Sequence, residues 1–204
     1  MPNFDIETSY KNKKVVGIDE AGLGPLAGPI VVAGCYIENY HLSHGLQGSI
    51  DDSKKLSKNK RESIFEKIIS DKNIVYAISI IDNKTIDEIG LSSAWKKGVS
   101  EVISKIEAEV YIIDGNKKIE AQNKICESVV KGDQKSFSIA TASILAKVTR
   151  DRIMERIHDE FPCYGFNKHV GYGTKQHIES IKEYGPCKYH RMSYAPLKKL
   201  NSFA

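Results

Sequence analysis

One segment, DEAGLGPLAGP from Asp19 to Pro29, limits the possible folds more than any other part of the chain. It follows an apolar run carrying Val15, Val16 and Ile18 and leads straight into a second, Ile30 to Ile37. Both runs are short and β-branched, so they read as buried strands over 14–20 and 30–37. Strands this close in sequence pair most simply as antiparallel neighbours. Downstream, Ser57 caps a helix reaching about Ile69, with Ile64, Phe65, Ile68 and Ile69 on its apolar face, and 74–81 is a third strand. Leu91, Trp95, Val99, Val102, Ile103 and Ile106 recur at helical spacing, and the run Val110 to Ile113 ends at Asp114 and a Gly115-Asn116 turn. A last long helix starts near Ser138 and stops before Pro162. Strands first and helices interleaved later predict an α/β fold, a mixed sheet with helices on its faces.

A chain of 204 residues predicts one domain over 1–204, with a core of about 14–160 and a C-terminal extension of about 161–204. Its 41% apolar and 27% charged residues exclude disordered, collagen-like and coiled-coil classes. The four cysteines form no C-x-x-C pair, so they are expected to be reduced thiols. The N-terminus lacks the apolar core of a secretory signal and no run could span a membrane, which predicts a cytoplasmic protein without a membrane partner.

The net charge of +4 is unevenly spread. Residues 161–204 carry seven Lys or Arg against Glu179 and Glu183, a net +5, which leaves the first 160 residues at −1. A basic tail that also holds Tyr172, Tyr184, Tyr189 and Tyr194 suits a polyanion with stackable bases. A merely solvated surface accounts for the charge equally well.

Two nucleotide-binding readings of the glycine loop fail. Gly28 is followed by Pro29 and Ile30 rather than the Lys and Ser or Thr of a phosphate-gripping loop. Gly22, Gly24 and Gly28 have the wrong spacing for a dinucleotide fingerprint and lead into a strand, not a helix. What remains is backbone free of β-carbons beside two carboxylates, Asp19 and Glu20, a place where a bulky ligand such as a sugar can approach the main chain.

Two further acids share this setting. Asp114 ends an apolar strand, and Asp133 lies in VVKGDQKS just ahead of the long helix. If the strand ends converge, Asp19, Glu20, Asp114 and Asp133 form a cluster of hard oxygen donors. Two carboxylates about 4 Å apart repel by roughly 4 kcal/mol at an effective dielectric near 20, so a cation is needed between them. Oxygen-only ligation favours Mg²⁺ or Mn²⁺ over zinc. Paired divalent ions of this kind hydrolyse phosphodiesters by in-line displacement. Successive strand residues point to opposite faces, so Asp19 and Glu20 share a pocket only if the strand twists or ends between them. There is no G-x-S-x-G elbow and no H-E-x-x-H zinc motif. Of the six histidines, His177 and His190 in the basic tail are the best placed to contact phosphate.

Taken together, DEAGLGPLAGP, DDSKKLS, the acid after YIID, KGDQKSFSIATASILAKVTRDRIM, GYGT and HRMSYAP resemble ribonuclease HII, in that order and over nearly the whole chain. The resemblance implies a ribonuclease H-like fold, a five-stranded mixed sheet flanked by helices with a C-terminal helical extension. It implies an endonuclease that cuts the RNA strand of RNA/DNA hybrids. It further implies nicking of duplex DNA 5′ of an embedded ribonucleotide, with 3′-hydroxyl and 5′-phosphate ends. Separately, the chain is expected to act as a monomer. Asp19, Glu20, Asp114 and Asp133 match the family's four metal-binding catalytic acids. Gly22, Leu23 and Gly24 fall at the loop that senses the ribose 2′-hydroxyl, and Tyr172 matches the tyrosine that stacks on the sugar at the RNA-to-DNA junction. Further substrate contacts are expected from Ser53, Lys54 and Lys55 in DDSKKLS, from Ser143, Lys147 and Arg150 on the long helix, and from His190 and Arg191 in HRMSYAP. Ala140, Ala142 and Ala146 let that helix approach the sheet.

The chain departs from the family pattern twice. Leu23 stands where an arginine is usual, which removes a phosphate contact, and Tyr194 stands where phenylalanine is commoner. A non-enzymatic nucleic-acid binder would use the basic tail equally well, but four acids would repel phosphate unless metal intervenes. Ribonuclease HIII carries an extra N-terminal domain and a glutamate as its fourth acid, whereas thirteen residues precede the first strand here and residue 133 is aspartate. A nucleotide-dependent enzyme or a dead scaffold on the same fold is a further alternative, and the presence of all four acids disfavours the scaffold.

Overall fold

The structure, a computed structural model, describes residues 1–38, 46, 49, 50, 56–195, 197 and 198. Its sheet holds β1 (Val15–Ala21), β2 (Ile30–Ile37), β3 (Ile74–Ile81), β4 (Val110–Asp114) and β5 (Ile125–Val129) in the spatial order β3-β2-β1-β4-β5. β2 runs antiparallel to both β1 and β3, while β4 runs parallel to both β1 and β5. The glycine loop makes the first antiparallel return, as its length predicts. Reaching β4 in parallel takes a longer, helical crossover. The helices are α1 (Asp5–Ser9), α2 (Lys58–Ser70), α3 (Asn83–Ile89), α4 (Leu91–Lys105), α5 (Phe137–Glu160), α6 (Phe166–His169) and α7 (Lys175–Tyr184).

Alternation along β1 divides the core in two. Val16 and Ile18 face Trp95, Val99 and Val102 of α4. Val15 faces the other way, with Val110, Ile112 and Ile139 of α5. Gly17 lies on this second side, where an added Cβ would stand 2.3 Å from the Ile139 nitrogen. Only glycine lets α5 cross β1 that closely. α5 starts one residue before the expected Ser138, because the Ser136 hydroxyl accepts from Ile139 N–H at 3.2 Å and so supplies the cap. Every residue from Phe137 to Ala146 is buried, which explains the small side chains at 140, 142 and 146. Full burial of a Val, Ile or Phe side chain stabilises the fold by about 1.5–3 kcal/mol.

The apolar pattern does not predict α1 or β5. Glu7 of α1 is buried, and its Oε1 accepts from the hydroxyls of Ser136 and Ser138 at 2.6 and 2.7 Å and from Ser138 N–H at 2.9 Å. The N-terminal segment therefore fastens the start of α5. After α5 the chain folds back through α6 and α7 and buries Tyr164, Phe166 and Ile181 against Met154, Ile157 and Leu26. The Leu26 N–H donates to Gly171 O, Gly28 N–H to Tyr189 O and Arg191 N–H to Leu26 O, at 2.8, 2.9 and 2.8 Å. This helical segment thus builds one wall of the glycine loop. The four cysteines are unbridged. Among the described residues, no helix is long and apolar enough to cross a membrane.

Candidate active site

The parallel pairing of β1 with β4 matches Ile18 with Ile113 and so brings Asp19 and Asp114 side by side at the strand ends. Glu20 points to the other face, and β1 ends one residue later. A cavity of about 500 Å³ wraps this end of the strand and is lined by Asp19, Glu20 and Asp114 together with Gly22, Leu23 and Gly24. Arg61, Ser143, Lys147 and Tyr172 complete the wall opposite. The alternation problem is thus resolved by the strand ending where the acids occur.

The charge of Asp19 is poorly compensated. Burial, followed by the neighbouring Glu20 and Asp114 charges, holds the Asp19 carboxyl well above its usual range. The Ser143 hydroxyl and the Glu20 N–H, at 2.7 Å, offset this only in part. Glu20 Oε2 accepts from the Trp95 indole N–H at 3.0 Å, and Asp114 Oδ1 accepts from Gly132 N–H at 2.6 Å. All four of these donors are neutral. Oxygen-only donors in which a buried Asp19 is repelled by the half-buried Glu20 and Asp114 fit a hard divalent cation. Among the described residues, no three acid, His or Cys side chains stand close enough to hold an ion as they are, so a ligand shell would be closed by rotation of these carboxylates.

Asp133 differs from the other three. It is 3% exposed in the 3₁₀ turn Gly132–Gln134 and does not line the cavity. Its turn nevertheless adjoins the site, through the Gly132 N–H that Asp114 accepts. The expectation of four acids facing one space is met by three.

Several expected substrate contacts are corrected by burial. Arg191 is 0% exposed, and its guanidinium donates to the carbonyls of Gly22, Leu23 and Gly28 at 2.6, 2.9 and 3.0 Å. Arg150 borders the cavity at 1% exposure, with Nε and Nη2 given to Pro29 O and Ala27 O at 3.0 and 3.2 Å. Burial and the nearby Arg191 charge lower its pKa to about 10. Both arginines brace the glycine loop; Arg191 is closed off from the cavity and not placed to grip phosphate, whereas Arg150 also lines it. His190 and His177 are 1% and 0% exposed and bond each other, so neither reaches a phosphate. The Ser143 hydroxyl serves Asp19. Lys147 remains partly exposed on the cavity wall and is paired with Asp151 at 2.7 Å. Ser53, Lys54 and Lys55 lie outside the described residues.

Gly22 has φ +100, and an added Cβ would meet Arg150 Nε at 2.1 Å, so this loop position requires glycine. The Tyr194 hydroxyl donates to Leu23 O at 2.7 Å and accepts from Arg191 Nη1 at 2.9 Å. The two departures from the family pattern, Leu23 and Tyr194, therefore touch. Tyr172 is 47% exposed and faces Gly24 across the cavity mouth, 3.6 Å from where a Cβ on Gly24 would stand. The apolar pattern gives no signal for two site residues. Trp95 reads as core and yet holds Glu20. Arg61 is marked only by following Ser57 by one helical turn.

Comparison with known proteins agrees with this layout. The family model for ribonuclease HII matches residues 16–197. The chain is 43% identical over 196 residues to ribonuclease HII of Caldicellulosiruptor bescii, covering 94% of this chain and 92% of that one. It is 46% identical over 190 residues to that of Rickettsia akari, covering 92% and 94%. Among solved structures, ribonuclease HII of Archaeoglobus fulgidus, in its complex with PCNA, superposes with a TM-score of 0.76 at 28% identity, over 89% of this chain and 95% of that one. The chain therefore belongs to the ribonuclease HII family, endoribonucleases acting on RNA/DNA hybrids, and its mixed sheet with flanking helices is the ribonuclease H-like fold.

Proposed function

We propose that this endoribonuclease cuts the RNA strand of RNA/DNA hybrids and nicks duplex DNA on the 5′ side of an embedded ribonucleotide, leaving 3′-hydroxyl and 5′-phosphate ends. The observation that carries the reading is the shared cavity, in which the acids of β1 and β4 face the Gly22-Leu23-Gly24 loop, with Lys147 and Tyr172 at its edge. Water adds to phosphorus, the bond from phosphorus to the 3′-oxygen breaks, and that oxygen leaves as a hydroxyl. Asp19, Glu20 and Asp114, joined by Asp133, are the ligands of Mg²⁺ or Mn²⁺ in this reading. When bound, such ions activate the attacking water and stabilise the departing oxygen. Ser143 and Trp95 orient two of the carboxylates. The glycine loop presents main chain to the 2′-hydroxyl, Lys147 meets backbone phosphate, and Tyr172 lies against the deoxyribose beyond the junction. The protein acts as a cytoplasmic monomer.

The test is cleavage of a duplex DNA carrying one ribonucleotide, beside an all-DNA control, with and without divalent metal. Metal-dependent nicking 5′ of the ribonucleotide is expected, and Asp114→Asn should abolish cutting while sparing binding. Cutting of the all-DNA duplex, or metal-free cutting, would overturn the reading.

A further inference from the structure

Beyond the cavity lies a second polar cluster, His169, His177 and His190, each at most 9% exposed. The hydrogen bonds give each ring one neutral tautomer. The Cys187 backbone N–H can only donate, and it reaches His190 Nδ1 at 2.9 Å, which outranks the 3.3 Å approach of the Cys187 carbonyl. The His190 proton is therefore on Nε2, 3.1 Å from His177 Nε2. His177 accepts it there and carries its own proton on Nδ1, which donates to the Tyr172 carbonyl at 2.8 Å. His169 works from the other side of the same peptide. Its carbonyl accepts Tyr172 N–H at 2.9 Å, and its Nδ1 accepts Gly171 N–H at 3.3 Å. His169 and His177 stack with ring centroids 4.6 Å apart, closing the cluster.

We propose that His177 and His190 are positioning residues for Tyr172, a directed chain from Cys187 N–H through both imidazoles to the Tyr172 carbonyl that fixes where the phenol ring meets the sugar. The proposal rests on the reading of Tyr172 as a substrate contact. The Tyr172 ring is half exposed, while its main chain is bonded on both sides. Burial holds the pKa of His177 and His190 down to about 4, so the chain stays neutral under physiological conditions. In this scheme the HRMSYAP and GYGT motifs act as one device, joined through a bond between two histidines thirteen residues apart.

A double-mutant cycle separates positioning from packing. His177→Leu is expected to lower kcat/KM at an embedded ribonucleotide by about tenfold, the size of one lost buried hydrogen bond. In a Tyr172→Ala background the same change should cost no further activity, although the thermal midpoint still falls. His177→Asn, whose amide can still donate to the Tyr172 carbonyl but no longer accepts from His190 Nε2, should recover part of the loss and not all of it; full recovery would remove His190 from the chain. Additive losses, or equal losses for Leu and Asn, would overturn the relay and leave the Tyr172 reading standing. Full activity of Tyr172→Ala would overturn that reading, and the positioning role with it. Ring ¹⁵N shifts of the unaltered protein give a readout independent of activity. Protonated Nδ1 on His177 and protonated Nε2 on His190 are expected, and the reverse tautomers would sink the relay whatever Tyr172 does.

Discussion

The glycine loop separates two clusters of like charge that the protein treats in opposite ways. Above it, Asp19, Glu20 and Asp114 line open space, and burial with mutual repulsion makes the Asp19 charge costly. Below it, Arg191 lies close enough to disfavour the Arg150 charge, yet the two guanidiniums are spread over five carbonyls, of Gly22, Leu23, Ala27, Gly28 and Pro29. Main-chain dipoles solvate the cations permanently. Around Asp19 the Ser143 hydroxyl and the Glu20 N–H offset burial and repulsion only in part, and its carboxyl stays well above the usual range. Proximity of like charges is thus no guide to function by itself; the number of fixed dipoles turned towards them decides it.

This contrast predicts opposite responses to neutralisation. Asp19→Asn should reduce cleavage by on the order of 10³-fold or more while raising the melting temperature of the metal-free protein, by about 2–4 °C per kcal/mol of relieved repulsion. Calorimetry beside a cleavage assay checks both, and a fall in that midpoint would break the comparison. Arg191→Met should act in the reverse sense, destabilising the fold by about 3 kcal/mol by stranding loop carbonyls. Urea unfolding reads it directly.

A smaller effect is expected on acidification. His177 and His190 titrate near pH 4 in the fold against an ordinary value of 6.5, so the unfolded chain takes up protons first as pH falls. Stability contributed by the two neutral rings is complete above about pH 6.5 and is lost progressively towards pH 4. Unfolding midpoints measured across that window should decline, and His190→Gln should flatten the decline. The smallest change concerns Leu23. Leu23→Arg should add one phosphate contact and steepen the dependence of log affinity on log salt by about 0.7–0.9. An unchanged slope would show that an arginine at this position does not reach phosphate in this chain.

Legibility in the sequence followed the kind of force at each position. β2 and β3 have the bounds that their apolar runs predict, and Ser57 caps α2 by accepting from Lys60 N–H. Burial is written locally in such runs. β5, with the sequence ICESV, is mostly exposed and has no apolar rhythm; only the family resemblance anticipated a fifth strand. Asp19, Glu20 and Asp114 were legible because charge at the end of a buried strand is costly without a purpose. Arg191, His177 and His190 read as substrate contacts and yet are buried, because a basic residue reads alike whether it faces phosphate or carbonyl oxygen. Only the distant partner distinguishes the two, and for Arg191 that partner is up to 169 positions away. Glu7 escaped notice for the same reason, since its partners Ser136 and Ser138 lie beyond any local window.

That separation has a bearing on the order of synthesis. The floor beneath Gly22 is supplied by Arg191, 169 positions further along, so a growing chain lays down β1 and its acids long before the glycine loop has its brace. A product cut short ahead of Arg191 would keep its central strands and leave that loop hanging without support.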